Sequence, residues 1–186
     1  MGPRVKLLLF LLLAQSSASV LAADKPDIFS DTATLLPPVQ RWSGASEALM
    51  VGADDPWVTP AERTQLSATP DYDETIDWLR RLVSAAPELE MVPIGRSLQG
   101  REIWMVIASA DRAFSAEAMK KTGKPLLLAH SGIHAGEIDG KDAGLMLLRD
   151  MTVADKRKEL LAESSFLFIP ILNVDGHERR SEFNRI

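Results

Sequence analysis

The stretch Gly132-Ile133-His134-Ala135-Gly136-Glu137 decides how the rest of the chain is interpreted. The apolar run Pro125–Ala129 precedes it, and an apolar-periodic run, Ala143–Met151, follows it. This order indicates a buried strand, a glycine-containing loop and then a helix. In open α/β sheets, ligands bind where the carboxyl ends of strands meet such loops. We therefore expect the functional site of this chain at this loop.

His134 and Glu137 carry side chains that both occur as zinc ligands. Gly132 and Gly136 bracket the histidine and permit the tight backbone turn that directs both side chains to one point. Catalytic zinc sites have three protein ligands and one open position for water. The loop supplies two ligands, so a third has to come from elsewhere.

Structural interpretations of the same residues stay open at this point, because the spacing His-x-x-Glu is common by chance. His134 could cap a helix or hydrogen-bond a carbonyl group. Glu137 could be an acidic residue in the first helical turn, where the helix dipole favours negative charge. The bracketing glycines and the strand-to-loop context make the metal interpretation about as well supported as these structural interpretations.

Three sequence motifs, in the right order, resemble the zinc carboxypeptidase family, the relatives of carboxypeptidase A. The hexapeptide 132–137 resembles the metal-binding signature of that family. Asn173-Val174-Asp175-Gly176, after the apolar run Phe166–Leu172, resembles a loop that is usually Asn-Pro-Asp-Gly in the family, so the valine is a departure. The segment Ile94–Trp104 is similar to the glycine-turn hairpin between the first two family strands. The resemblance spans Tyr72–Ile186.

The resemblance implies a fold, a metal and a reaction. It implies an α/β three-layer sandwich with a mixed sheet, incomplete at the C-terminus, in which His134 and Glu137 bind Zn²⁺. It also implies a third ligand and a glutamate base, both beyond Ile186, so the chain by itself is expected to be inactive. An arginine that polarises the scissile carbonyl follows the Asn-x-Asp-Gly loop in the family, and Arg185 lies near that place in order, slightly short of it. The expected substrate is the C-terminus of a peptide.

Three functions are compatible with these observations. The first is a zinc metallocarboxypeptidase, of which this chain is the front part. The second is a zinc-dependent deacylase of N-acyl amino acids that uses the same His and Glu spacing. The third is a non-catalytic exported binding module with a vestigial metal site.

Composition excludes several other classes. The chain has 186 residues, 46% hydrophobic and 25% charged, which is typical of a single globular domain. The net charge of −5 gives no indication of nucleic-acid binding. The absence of cysteine excludes disulfides and thiolate metal ligands.

The N-terminus is typical of an export signal. Met1–Ala23 has a basic start, an apolar core at Leu7–Ala14 that is too short to span a bilayer, and small residues at its end. We expect it to be cleaved and the protein to be secreted or periplasmic, with no membrane span elsewhere. Residues 24–70 are interpreted as an N-terminal extension and residues 71–186 as a partial catalytic domain.

Hydrophobic spacing and turn residues predict the remaining elements. Helices are predicted at Pro60–Leu66, Asp71–Ala86, Phe114–Thr122, Gly144–Met151 and Lys156–Leu161, and strands at Met91–Ile94, Glu102–Ala108 and Phe166–Leu172. We expect His130 to point away from the loop at residues 132–137, termed the metal loop, and His177 to be exposed. Asp139 and Asp142 either orient a ligand or supply charge at a helix start, and the second interpretation is slightly favoured. Trp42 and Trp57 are expected to pack on the domain.

Overall fold

The computed structural model describes residues 43–179 of the chain. The predicted export signal, Trp42 and Arg185 lie outside the described residues. The helices are α1 Pro60–Arg63, α2 Tyr72–Ala85, α3 Ala116–Thr122, α4 Asp139–Met151, α5 Lys158–Glu163 and α6 Val174–His177, with a 3-10 turn at Ala45–Leu49. The strands are β1 Leu89–Arg96, β2 Glu102–Ala108, β3 Leu126–His130 and β4 Ser165–Ile169.

The four described strands form one mixed sheet in the order β1-β2-β4-β3. β1 pairs antiparallel with β2, and β2 pairs antiparallel with β4, whereas β3 and β4 run parallel. The hairpin predicted around residues 97–100 joins β1 to β2. The predicted α/β architecture with a mixed sheet is therefore confirmed.

Helices α2 and α4 cover one face of the sheet. Leu79 and Leu82 of α2 and Leu145 and Leu148 of α4 are fully buried in one core with Phe168 of β4. Helix α2 starts where the sequence predicts, because the Asp71 side chain accepts a hydrogen bond from the Glu74 amide and Glu74 caps the Asp71 amide in return. The opposite face of the sheet and α3 enclose a cavity of about 390 Å³, which Met119, Ile107 and Leu167 help to line.

The segment before α2 is tied to this core by a buried ion pair. Both Glu62 carboxylate oxygens accept hydrogen bonds from Arg149 Nη1, at 2.7 and 2.8 Å, and neither side chain is exposed. Burial acts to raise the pKa of Glu62, but hydrogen bonds from Arg149 and Thr59 outweigh it and hold the pKa below its ordinary value. Trp78 Nε1 also donates to the Val58 carbonyl at 3.0 Å. The part of the predicted extension that contains Val58 and Glu62 is therefore bound to α2 and α4.

Strand β3 was predicted to be buried, and that prediction is wrong. Leu126, Leu127 and Leu128 are 51%, 59% and 54% exposed. The strand stands at the end of the described sheet and pairs only with β4 there, so its three leucines stay more than half exposed although Ala129 packs against the core. The buried central strand is β4 instead.

His177 is also not exposed as predicted. Only 6% of its surface is accessible, because it ends the short helix α6 and its Nδ1 lies 2.7 Å from Glu178 Oε1. Smaller differences concern element lengths. Helix α1 ends at Arg63, three residues early, since Gln65 and Leu66 adopt left-handed backbone conformations. Strand β4 ends at Ile169, just before Pro170.

The other predicted elements are observed with shifts of a few residues at their ends. Trp57 packs against the core, as predicted, and its ring lies 5.0 Å from the Arg81 guanidinium carbon. Within residues 43–179, none of the helices combines the length and the apolar character needed to cross a membrane.

Candidate metal centre

Backbone hydrogen bonds fix the start of the metal loop to the segment that follows β4. The Ser131 amide donates to the Ile169 carbonyl, and the Ser131 carbonyl accepts from the Leu172 amide, both at 2.9 Å. The Gly132 carbonyl then accepts from the Asn173 amide at 2.9 Å. The loop therefore begins at the carboxyl ends of two parallel strands, the place where open sheets bind ligands.

Gly132 is required by this geometry. Its φ is 61°, in the left-handed region, and a Cβ built there would lie 3.4 Å from both Cα and Cγ2 of Ile171. A side chain would strain the backbone and crowd Ile171. The chain can then turn tightly, and the Glu137 amide donates to the His134 carbonyl at 3.1 Å.

The turn brings the two predicted ligand side chains together. His134 Nδ1 lies 2.8 Å from Glu137 Oε1, and these side chains are 53% and 50% exposed. Two donors bound to one tetrahedral zinc ion at ordinary bond lengths would stand about 3.4 Å apart. The two atoms would have to separate by about 0.6 Å to bind one ion, and their donor types fit Zn²⁺.

The number of donors falls short of a complete site. Among residues 43–179, no group of three or more His, Asp or Glu side chains is placed to hold a metal ion. His130 ends β3 and lines a cavity of about 230 Å³ together with Glu137, yet it does not complete such a group. The predicted donors His134 and Glu137, termed the half-site, are thus fewer than a zinc site requires, and Arg185 lies outside the described residues.

Asp139 and Asp142 both lie in the first turn of α4, where the sequence favoured placing them as helix-start charges. Asp142 Oδ1 accepts a hydrogen bond from Thr69 Oγ1 at 3.0 Å and lies 3.5 Å from Lys141 Nζ. Burial raises the pKa of Asp142 above its ordinary value, although Lys141 and Thr69 oppose the rise. Lys141, itself only 1% exposed, donates to the Pro70 carbonyl. The start of α4 is therefore bound to the extension.

Asp175 connects two of the motifs through contacts that the sequence did not predict. Its carboxylate accepts hydrogen bonds from Ser97 Oγ and Arg101 Nη1, both at 2.8 Å, and from the Gln99 amide at 3.1 Å. Burial acts to raise its pKa, but the hydrogen bonds from Ser97 and Arg101 hold the pKa below the ordinary value. The signal was available, since Asp175 and the turn lie in two of the three recognised motifs.

The three motifs consequently form one connected framework. The Asp175 carboxylate connects the segment after β4 to the β1–β2 turn through its hydrogen bond from Ser97. The Asn173 amide of the same segment donates to the Gly132 carbonyl at the start of the metal loop. Asn173 Oδ1 also accepts from the Gly176 amide at 2.9 Å, which holds the loop itself. The position of His134 and Glu137 therefore depends on residues far away in sequence.

Comparison with known proteins gives a family match and several more distant likenesses. The model of the zinc carboxypeptidase family matches residues 75–186. An inactive metallocarboxypeptidase of Schizosaccharomyces pombe is 33% identical over 106 residues, which cover 54% of this chain and 21% of that protein. The crystal structure of carboxypeptidase A from Helicoverpa armigera matches with a TM-score of 0.51 and 20% identity, over 59% of this chain and 26% of the insect chain.

Thrombin activatable fibrinolysis inhibitor has a similar structure, with a TM-score of 0.53 and 20% identity over 63% of this chain and 29% of that chain. At such identities the two solved structures support the fold alone. The chain spans about a fifth of the curated relative and less than a third of either solved structure. The family model covers more than half of the chain and includes the metal loop. This chain therefore belongs to the zinc carboxypeptidase family.

Proposed function

We propose that this chain is the front part of the catalytic domain of an exported zinc metallocarboxypeptidase, which hydrolyses C-terminal peptide bonds with an activated water molecule. The observation that carries the proposal is the approach of His134 Nδ1 to Glu137 Oε1, 2.8 Å apart on a loop at the carboxyl ends of parallel strands. Family membership supports Zn²⁺ as the metal. The apolar-core export signal in Met1–Ala23 supports secretion or a periplasmic location.

The residues of this chain have a holding and orienting role in that reaction. His134 and Glu137 would hold the metal, and their mutual contact keeps the two donors directed to one side of the loop before a metal enters. When bound, Zn²⁺ supplies Lewis acidity at the scissile carbonyl and makes water a stronger nucleophile. Asp175 and Gly132 fix the loop, so the donors stay in place during turnover. Partial exposure of both donors leaves room for a peptide.

The remaining groups are proposed from the family resemblance. A third ligand and a glutamate base are expected beyond Ile186, and that base would accept the proton of the attacking water. Arg185 is proposed as a contact to the substrate. The substrate itself is proposed to be a peptide C-terminus, whose carboxylate an arginine can bind through two parallel hydrogen bonds.

A non-catalytic role is a second candidate. It is favoured by one observation, that the Schizosaccharomyces pombe relative, 33% identical, is named inactive. In that case the half-site would bind metal or peptide without turnover. The two candidates make different predictions for the same protein, because both allow zinc binding but only the first allows hydrolysis.

The test uses the protein translated from the whole reading frame, together with H134A, E137A and, as a matched control, H130A. We expect the parent to bind zinc and to hydrolyse N-blocked dipeptides, H134A and E137A to lose both properties, and H130A to keep both. Zinc content is measured by mass spectrometry and hydrolysis by release of the C-terminal amino acid. Zinc-dependent hydrolysis retained in H134A would refute the assignment. Stoichiometric zinc without hydrolysis would favour the non-catalytic role.

A further inference from the structure

A cavity of about 410 Å³ adjoins the metal loop on the side of the N-terminal extension. Ala135 and Gly136, which stand between the two metal-ligand candidates, line it from the loop. Its second wall is the segment Leu66-Ser67-Ala68-Thr69, which we term the strap, and Arg179 contributes to a third. The volume lies within the range of ligand pockets, about 300–1,000 Å³. Gly136 leaves it open, since a Cβ there would meet nothing within 4 Å.

The strap is held firmly in place. Gln65 and Leu66 have φ values of 56° and 60°, which residues other than glycine rarely adopt and which persist only where the surroundings hold them. At its far end, Thr69 Oγ1 donates to Asp142 of α4, and the next carbonyl, that of Pro70, accepts from the buried Lys141. The wall that the strap presents to the cavity is therefore preformed.

The strap is a feature of this chain outside the matched family segment, which begins at residue 75. The buried pair of Glu62 and Arg149 anchors the helix immediately before the strap to α4. One side of the space beside the metal loop is thus built by residues that precede the family core. Such a wall can change which substrates fit without changing the metal ligands.

We infer that the strap forms a substrate subsite for peptide residues on the amino-terminal side of the scissile bond. This inference rests on the proposed function. A carboxypeptidase has a single residue on the carboxyl side of the bond it cleaves, so a longer peptide extends from the metal on the other side. The lining is suited to peptide, because it combines apolar surface from Leu66 and Ile138 with the hydrogen-bonding groups of Thr69 and Arg179.

The experiment measures how the rate depends on peptide length in the protein translated from the whole reading frame. N-blocked peptides with one common C-terminal residue are compared, from dipeptide to pentapeptide. Ala68→Trp fills the cavity from an exposed position of the strap, and Ser67→Trp does so from the neighbouring one. Ala85→Trp is the matched control, because Ala85 is exposed near the end of α2 and does not line the cavity. Melting temperatures establish that each variant is folded.

In the parent, kcat/KM is expected to rise about tenfold with peptide length, because partly burying one additional side chain in the subsite strengthens binding by about that factor. Ala68→Trp should lose that rise through KM, whereas Ala85→Trp should keep it. A flat length profile in the parent, or an unchanged profile in both strap variants, would overturn the inference. If no peptide is hydrolysed, the proposed function fails by itself. Calorimetric titration with the pentapeptide then tests the subsite separately. The inference still requires that the parent binds this peptide, that Ala68→Trp weakens the binding about tenfold, and that Ala85→Trp leaves it unchanged.

Discussion

Replacing Arg149 by methionine should strongly destabilise the protein, because it leaves a buried carboxylate without its counter-charge. In the structure, both oxygens of Glu62 accept from Arg149 Nη1 at 2.7 and 2.8 Å, and Arg149 Nε donates to Asp150 at 2.8 Å. Breaking a buried pair from one side costs about 3–5 kcal/mol. Hydrogen bonds to Glu62 from the Val51 and Thr59 amides remain, which favours the lower end of that range.

The assay is urea unfolding of the protein translated from the whole reading frame, with the denaturant slope compared between variants. The double variant Glu62→Gln with Arg149→Met should recover part of the loss, because position 62 no longer buries a charge and its amide oxygen still accepts, whereas the buried Asp150 still lacks its hydrogen bond from Arg149 Nε. Lys158→Met is the matched control, since its pair with Asp155 at 3.2 Å is more than half exposed on both sides and should be worth less than about 1 kcal/mol. A loss of less than about 1 kcal/mol for Arg149→Met would refute the reasoning.

Three further predictions follow from single features. Folding lowers the pKa of Glu62, so the ionised carboxylate should stabilise the folded protein fully above pH 4.5, the reference pKa of the group. This stabilisation should disappear as the pH falls through the lower pKa of the folded state. Chemical unfolding of the parent and the double variant across this pH range measures the change. Gly144→Ala should destabilise by at least about 1–3 kcal/mol, because its Cβ would lie 2.1 Å from Phe168 Cζ, and an unchanged melting temperature would contradict this. The 186-residue chain expressed by itself should aggregate through the exposed leucines 126–128, whereas a monodisperse monomer with a cooperative melt in light scattering and calorimetry would contradict it.

Local patterns in the sequence were sufficient for the elements that have local causes. Helix α2 is predicted within a residue at each end, because Asp71 caps it, Pro87 follows it and Leu79 and Leu82 repeat at helical spacing. The hairpin is predicted for the same reason, since its turn residues are contiguous. The pairing of His134 with Glu137 was also accessible, because only three residues and a tight turn separate them.

The failures concern properties that depend on residues far away in sequence. The run Leu126–Leu128 reads as buried because it is apolar, but burial depends on what covers a strand, and no element of the described sheet does so. Nothing local marks Glu62 as the partner of Arg149, 87 residues later. His177 follows a glycine and resembles an exposed turn residue, yet the short helix α6 turns it inward.

The framework around the half-site connects the three short motifs in space. Asp175 can accept from Ser97, Gln99 and Arg101 only if the hairpin turn and the loop after β4 lie side by side. That loop in turn positions Gly132 through Asn173.

Loss of the Asp175 carboxylate would remove the hydrogen bonds that hold the hairpin turn against the segment to which Gly132 is bonded. The proposed ligands are therefore positioned by residues 94–176, and the third donor that the proposed function requires is not found among the described residues. Under the proposed function, metal binding by the whole protein would combine a loop fixed by this framework with a donor supplied from elsewhere.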